Sequence, residues 1–255
     1  MKLTPTKRIK EKISKVFHWP KTAFISERTA RLWPKTMKKF NFRIPSQLSP
    51  ADYRRFVQNY KPRKIGPFSL HFSKGSIDGA MIFTLSKRED RIITQGNKKL
   101  LKSSGLTNLA RTIRLKLKNR MCKVKFFLTR TIEPELTLPI NRASGAGICA
   151  ITNLIGPTSR KYEGTQAIVQ QINETIGTNW QNFLLTEISN HAKSQGCSAV
   201  ALLRPENNPD LTNRHLSKTG VDLKGAESIR SQYYAAARKA GFKKVEGSNY
   251  FWRIF

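Results

Sequence analysis

The spacing of hydrophobic positions changes along the chain, and each change marks an element. Over residues 7–17 (KRIKEKISKVF), Ile9, Ile13, Val16 and Phe17 recur at helical spacing among Lys7, Arg8, Lys10, Lys12 and Lys15, which predicts a short basic amphipathic helix. Residues 18–50 lose that period. Pro20, Pro34, Pro45 and Pro50 are interspersed with Trp19, Trp33, Phe40 and Phe42, the pattern of an extended segment. Ser49-Pro50-Ala51-Asp52 opens a helix with proline in its first turn, continuing through Tyr53, Phe56, Val57 and Tyr60. In PFSLHFS (67–73) Phe68, Leu70 and Phe72 alternate with polar residues. AMIFTLS follows the turn KGSIDG, so the two runs predict a β-hairpin. Residues 95–120 read as a loop and a helix carrying Leu109, Ile113 and Leu117 on one face. A strand is predicted over 123–132 (KVKFFLTRTI). Two more are predicted over 135–140 and 148–155, with the alternative that Gly145 and Gly147 open a helix instead.

The second half has a firmer period. Helices are predicted over 164–176, 180–193 and 226–240, with Gly196 and Gly241 as C-terminal stops. Between the last two, SAVALLRP (198–205) is a continuous apolar run, the pattern of a strand buried on both faces. A polar loop follows it, and FKKVEGSNYFWRIF supplies one or two closing strands around Gly247-Ser248-Asn249. There is no internal repeat and no low-complexity tract. The order predicts an α/β fold, a mixed twisted sheet flanked by helices, over residues 49–255, preceded by a basic, partly extended arm over 1–48.

Charge adds a second division. The formal net charge is +31, and it is uneven: residues 1–65 hold 18 Lys/Arg against 3 acids, residues 66–140 hold 15 against 5, and residues 141–255 hold 14 against 8. A field of that sign attracts polyanions, so RNA, DNA or an anionic membrane surface is the expected partner. The densest basic face is Arg111, Arg114, Lys116, Lys118 and Arg120 on the helix within 95–120. The 7–17 helix suits an anionic membrane, packing on the domain, or a mitochondrial targeting segment. The arm's aromatics suit stacking on bases or stapling the arm to a core. No apolar run reaches the ~18 residues a membrane span needs, and no secretory segment is apparent. Cys122, Cys149 and Cys197 lack C-x-x-C spacing and read as reduced structural thiols in a cytoplasmic setting. The four histidines have no metal-ligand spacing, so no metal is expected. Hydrolase elbow and phosphate-loop motifs are absent from the sequence.

The order of phrases AKSQG, AVALLRP, a polar loop, a Tyr-bearing helix ending K-A-G-F and a final aromatic strand resembles the second half of the GNAT acyl-CoA N-acyltransferase fold, over residues 148–255. A fainter resemblance, in LIGP, NWQNFLLTEISNHAKSQG and SQYY…GF, is to the VirK/YbjX family of bacterial proteins, which includes virulence-linked, envelope-associated members. The GNAT resemblance implies acetyl-CoA or another acyl-CoA as cofactor and an amine as acceptor. Its pyrophosphate would rest on backbone N–H groups at a helix N-terminus. Arg142-Ala-Ser-Gly145-Ala-Gly147 matches the family phrase [QR]-x-x-G-x-[GA], although two predicted helices separate it from the buried strand. Gly177-Thr178-Asn179, just before the Trp180 helix, is the second candidate, with Thr178 or Asn179 as its N-cap.

Catalysis on this pattern needs an acid and a base. The family's usual acid is a Tyr four residues before the Gly of G-F, where this chain has Ala237. Tyr234 lies about one turn away, and Tyr233 beside it. Glu133, Glu135 and Glu206 are the candidate bases, with solvated strand ends balancing Lys and Arg as the alternative. Two functions therefore stand at this point. One is a GNAT-like acyltransferase whose basic half recruits an anionic partner. The other is a non-catalytic basic protein that binds nucleic acid or an anionic membrane surface.

Overall fold

Residues 50–73, 80–87, 121–130, 132–133, 147–157, 162–211 and 223–255 are described by the structure, a computed structural model. The arm, the 7–17 helix, the KGSIDG turn, the 95–120 helix with its five basic residues, the 135–140 strand with Glu135, and Arg142 and Gly145 lie outside them. The described chain runs α1 (Pro50–Gln58), β1 (Arg63–Ile65), β2 (Phe68–Ser73), β3 (Met81–Lys87), β4 (Cys122–Thr129), β5 (Ile148–Ile155), α2 (Tyr162–Ile176), α3 (Trp180–Ser194), β6 (Ala199–Leu203), α4 (Leu223–Lys239), β7 (Lys243–Lys244) and β8 (Tyr250–Ile254). The class is mixed α/β, with an eight-stranded sheet in the order β1-β2-β3-β4-β5-β6-β8-β7.

Strands β1 to β5 pair antiparallel, each with the next. β5 and β6 then pair in parallel, from Ile148 opposite Ala199 to Ile151 opposite Leu202. A parallel neighbour cannot be reached by a tight turn, so the chain must cross over, and α2 and α3 make that crossover. Past Leu203 β5 continues to Ile155 while β6 ends. At the same place the β4–β5 register slips, with Lys125 opposite Asn153 but Phe126 opposite Ile151. Thr152 is the extra residue, a β-bulge.

Both faces of the middle strands are covered. On one face Phe83, Phe126, Leu128, Ile151, Val200, Leu202 and Phe251 pack against Phe56 of α1, Ile172 of α2, Leu184 and Ile188 of α3 and Ala236 of α4. On the other, Phe127, Ala150, Ala199, Ala201, Leu203, Tyr250 and Trp252 form a second cluster. β6 (AVALL) is buried at all five positions. Its unbroken apolar run is therefore what a strand with two covered faces requires. The predicted stops also hold: Gly196 (φ 77°) and Gly241 (φ 81°) take the left-handed conformation that ends α3 and α4.

One strand was not visible in the pattern, and the first of the two expected closing strands is very short. β1 has three residues and no alternation, and it exists because the turn at Gly66 (φ 53°) folds it onto β2. β7 is the pair Lys243-Lys244, both exposed. Its charge discourages further strands from adding to that edge. Burial holds all three thiols (Cys122, Cys149, Cys197) protonated and raises the Cys197 thiol to about 12.

Helix α1 is held by one histidine. His191 of α3 is buried, with its ring 4.5 Å from Phe56, 5.1 Å from Tyr60 and 5.7 Å from Phe72. Its Nε2 lies 2.7 Å from the Phe56 carbonyl, which can only accept, so the proton sits on Nε2. Burial lowers the pKa of the ring, and the Phe56 bond opposes this only in part. The folded chain thus resists a second proton that the unfolded chain accepts near the usual histidine value of about 6.5. Stability from this group is present above that value and declines as pH falls towards the lowered folded pKa. The thermal midpoint should therefore drop between about pH 7.5 and pH 5.5, and the drop should shrink in His191→Gln, whose amide still reaches the carbonyl. An equal drop in the variant would remove His191 as the cause.

Candidate functional site

The carboxyl end of β6 is where separately noted residues meet. Backbone pairing carries one step past the strand, with Arg204 N donating to the Asn249 carbonyl at 3.0 Å. The Arg204 side chain then spans the corner. Its Nη1 donates to the Ser248 carbonyl at 2.9 Å, and its Nε donates to Glu206 Oε1 at 2.6 Å. Glu206 stands on a short 3-10 turn, Pro205–Asn207, and is ion-paired to Arg204. Its other oxygen accepts from the Tyr234 hydroxyl of α4 at 2.5 Å. The Tyr234 ring stands edge-on to Phe251 of β8, 5.2 Å between centroids.

On the other side of the Ser248-Asn249 turn lies Glu133. It is 3% exposed and holds a φ of 47°, the one non-glycine residue in the left-handed region among the described residues. Its Oε2 accepts from Ser248 Oγ at 2.5 Å and its Oε1 from Asn249 N at 2.6 Å. Ser248 Oγ in turn accepts from Tyr250 N at 3.0 Å and Trp252 Nε1 at 2.8 Å. Such a strained backbone persists only where its surroundings fix it, and here both carboxylate oxygens are fixed. The position expected to supply a base is thus an anchor for the turn before β8. Its carboxylate is spent on Ser248 and Asn249 and is sealed from any acceptor.

The electrostatics of the corner favour one protonation state. Burial alone would raise the Glu206 carboxyl, but hydrogen bonds from Tyr234, its own backbone and Arg204 outweigh it and hold the group below its usual range. Tyr234 is pushed up by burial and by its bond to Glu206. The tyrosine therefore keeps its proton and shares it with a carboxylate, while the Arg204 guanidinium faces its oxygen. Tyr233, the neighbouring candidate, points instead into the core. It is 1% exposed, its hydroxyl has no hydrogen-bond partner, and burial raises its pKa strongly. Ala237, where the family pattern has its acid, is also buried.

The two expected phosphate cradles are placed differently. Gly147 leads into β5 and not into a helix, and its carbonyl accepts from Ser198 N at 2.9 Å. Gly177 (φ 70°), Thr178 and Asn179 do precede α3, but the first turn of that helix is already closed. Asn173 Oδ1 accepts from Trp180 N at 2.8 Å, and Asn179 Oδ1 accepts from Gln181 N at 2.8 Å and from Asn182 N at 3.4 Å. Side-chain carboxamides thus occupy the N–H groups that a pyrophosphate would need. These residues do not fit that part of coenzyme A. The place where the β5–β6 ladder ends is occupied as well. Asn208, fully buried, donates from Nδ2 to the Thr152 carbonyl at 3.0 Å in place of a strand partner.

Sequence reasoning singled out Tyr234, Glu206 and Glu133 but missed Arg204, Asn208 and Ser248, which join or flank them. The one signal available was the Gly247-Ser248-Asn249 turn, which marks where β8 begins. Among the described residues no group of three or more His, Cys, Asp or Glu could hold a metal, and no helix is long and apolar enough to cross a membrane. In comparisons, no protein-family model, no curated protein and no solved structure matches this chain.

Ser248→Ala should destabilise the protein by about 3 kcal/mol, since it strips partners from Glu133, Tyr250 N and Trp252 Nε1 together. Urea unfolding measures this against Ser231→Ala, an exposed helix position expected to change stability by less than about 0.5 kcal/mol. Equal midpoints for the two variants would show that the buried cluster carries no such weight.

Proposed function

We propose that this chain is an acyltransferase resembling the GNAT enzymes, moving an acyl group from an acyl-CoA to an amine. The observation that supports it is the one parallel junction in an otherwise antiparallel sheet. β5 and β6 pair over four residues, and β6 ends beside the bulge in β5, with α4 laid across the same end. Crevices at the carboxyl ends of such strands are where open α/β sheets bind ligands. Tyr234 stands at that end, fixed by Glu206 and Arg204. Its part would be to bind and orient the acceptor through its oxygen, with Glu206 holding the hydroxyl proton. On this reading the donor's phosphates rest on residues other than Gly177–Asn179, and Glu133 takes no part in proton transfer.

A second reading is favoured by the closed first turn of α3 and by the charge of +31. The same scaffold would then bind a polyanion, RNA or DNA or an anionic membrane surface, without chemistry; fold alone does not choose between the two.

Thermal unfolding with acetyl-CoA, with ATP as an equally anionic control, separates them. A real site saturated at about 100 times its dissociation constant adds about 2.7 kcal/mol of stability. The acyltransferase reading expects acetyl-CoA to raise the midpoint well beyond ATP at about 0.15 M salt, and Tyr234→Phe to lower turnover while keeping that shift. Equal effects of the two ligands that vanish with added salt would overturn it in favour of the polyanion reading.

A further inference from the structure

A cavity of about 420 Å³ lies between α4 and the β7–β8 pair. Its helix wall is the stripe Ser231, Tyr234, Ala235 and Arg238, spaced i, i+3, i+4 and i+7, so these side chains share one face. Its sheet wall is Phe242, Lys244 and Phe251. Lys244 and Phe251 are opposite partners in the β7–β8 ladder, so they too share a face. The floor is apolar, since Phe242 and Phe251 are each 5% exposed. The space exists because the helix is small here: residues 235–237 are all alanine.

The two cations are what turn this space into a candidate site. Neither Arg238 nor Lys244 is ion-paired among the described residues. The nearby acid Glu206 is engaged by Arg204 and Tyr234. Two unpaired cations over aromatic walls are complementary to an anion with a flat apolar body: the rings take the body and the cations take the charge. The volume lies within the range of small-molecule pockets, about 300–1,000 Å³.

We propose that the cavity between α4 and β7–β8 is a binding site for a small aromatic anion, held by Arg238 and Lys244 and enclosed by Tyr234, Phe242 and Phe251. It differs from the corner beside β6, because only the Tyr234 and Phe251 rings are shared and neither Arg204 nor Glu206 lines it, and it requires no acyl transfer.

The test is fluorescence titration of the full chain with 1-naphthalenesulfonate at about 0.15 M salt, which damps the general positive field. Saturable one-to-one binding is expected. Arg238→Gln and Lys244→Gln should each weaken it about tenfold, as loss of a charge-assisted contact does. Ala235→Phe should abolish it by filling the space. Lys224→Gln, exposed on the first turn of the same helix, should leave it within about twofold, since it alters only the distant field. Inorganic phosphate, which lacks the apolar body, should compete poorly. Equal weakening by all three charge variants, or undiminished binding in Ala235→Phe, would overturn the assignment. Neither result bears on the acetyl-CoA shift, so the two proposals fail separately.

Discussion

The parallel pairing of β5 with β6 is the constraint on which the remaining structure depends. Every other neighbouring pair in the sheet is antiparallel and could be closed by a local turn. This one obliges the chain to leave the sheet and return, and α2 and α3 are the return path. Once they are laid on one face, β6 is enclosed between helices on that side and the Tyr250–Trp252 cluster on the other, and only apolar residues suit it. The junction is also short. After four paired residues the ladder ends, and the polar segment after β6 has to satisfy what the sheet no longer does, as Asn208 does for Thr152.

Where β6 ends, the corner begins. Arg204 leaves β6 with its backbone still bound to Asn249, and its guanidinium then joins the turn before β8 to Glu206 and so to α4. A single planar side chain with donors on several sides suits this task better than a lysine would. Glu133 fixes the same turn from the opposite side. The result is a mount for Tyr234, whose hydroxyl is tied to Glu206.

Much of this was legible in the sequence where pattern and burial coincide. The AVALL run announced a strand buried on both faces, and Gly196 and Gly241 announced helix ends. Phe68, Leu70 and Phe72 announced a half-covered strand. What could not be read there depends on partners far along the chain. β1 is too short to show a period and forms only because β2 offers it an edge. Glu133 looked like a free acid in a chain poor in acids, and 115 residues separate it from the serine that consumes it. Asn179 was recognised as a cap, but that recognition contains its own correction: a helix end that is well capped by carboxamides has no amides left for a phosphate. The family phrase at Arg142–Gly147 has the right letters, yet its last glycine opens a strand.

The placement of β8 between β6 and β7 bears on how the chain is made. Synthesis proceeds from the amino end, and β8 is the last of the eight strands in chain order. From the moment β6 leaves the ribosome until residues 250–254 follow, the backbone edge of this apolar strand has no antiparallel partner. During that interval roughly fifty residues must be added, at about 5–20 per second. An open edge of buried character is the part of a nascent chain most prone to pair with the wrong strand. The same ordering that seals the centre of the finished sheet thus leaves it, for some seconds of its birth, dependent on whatever shields it.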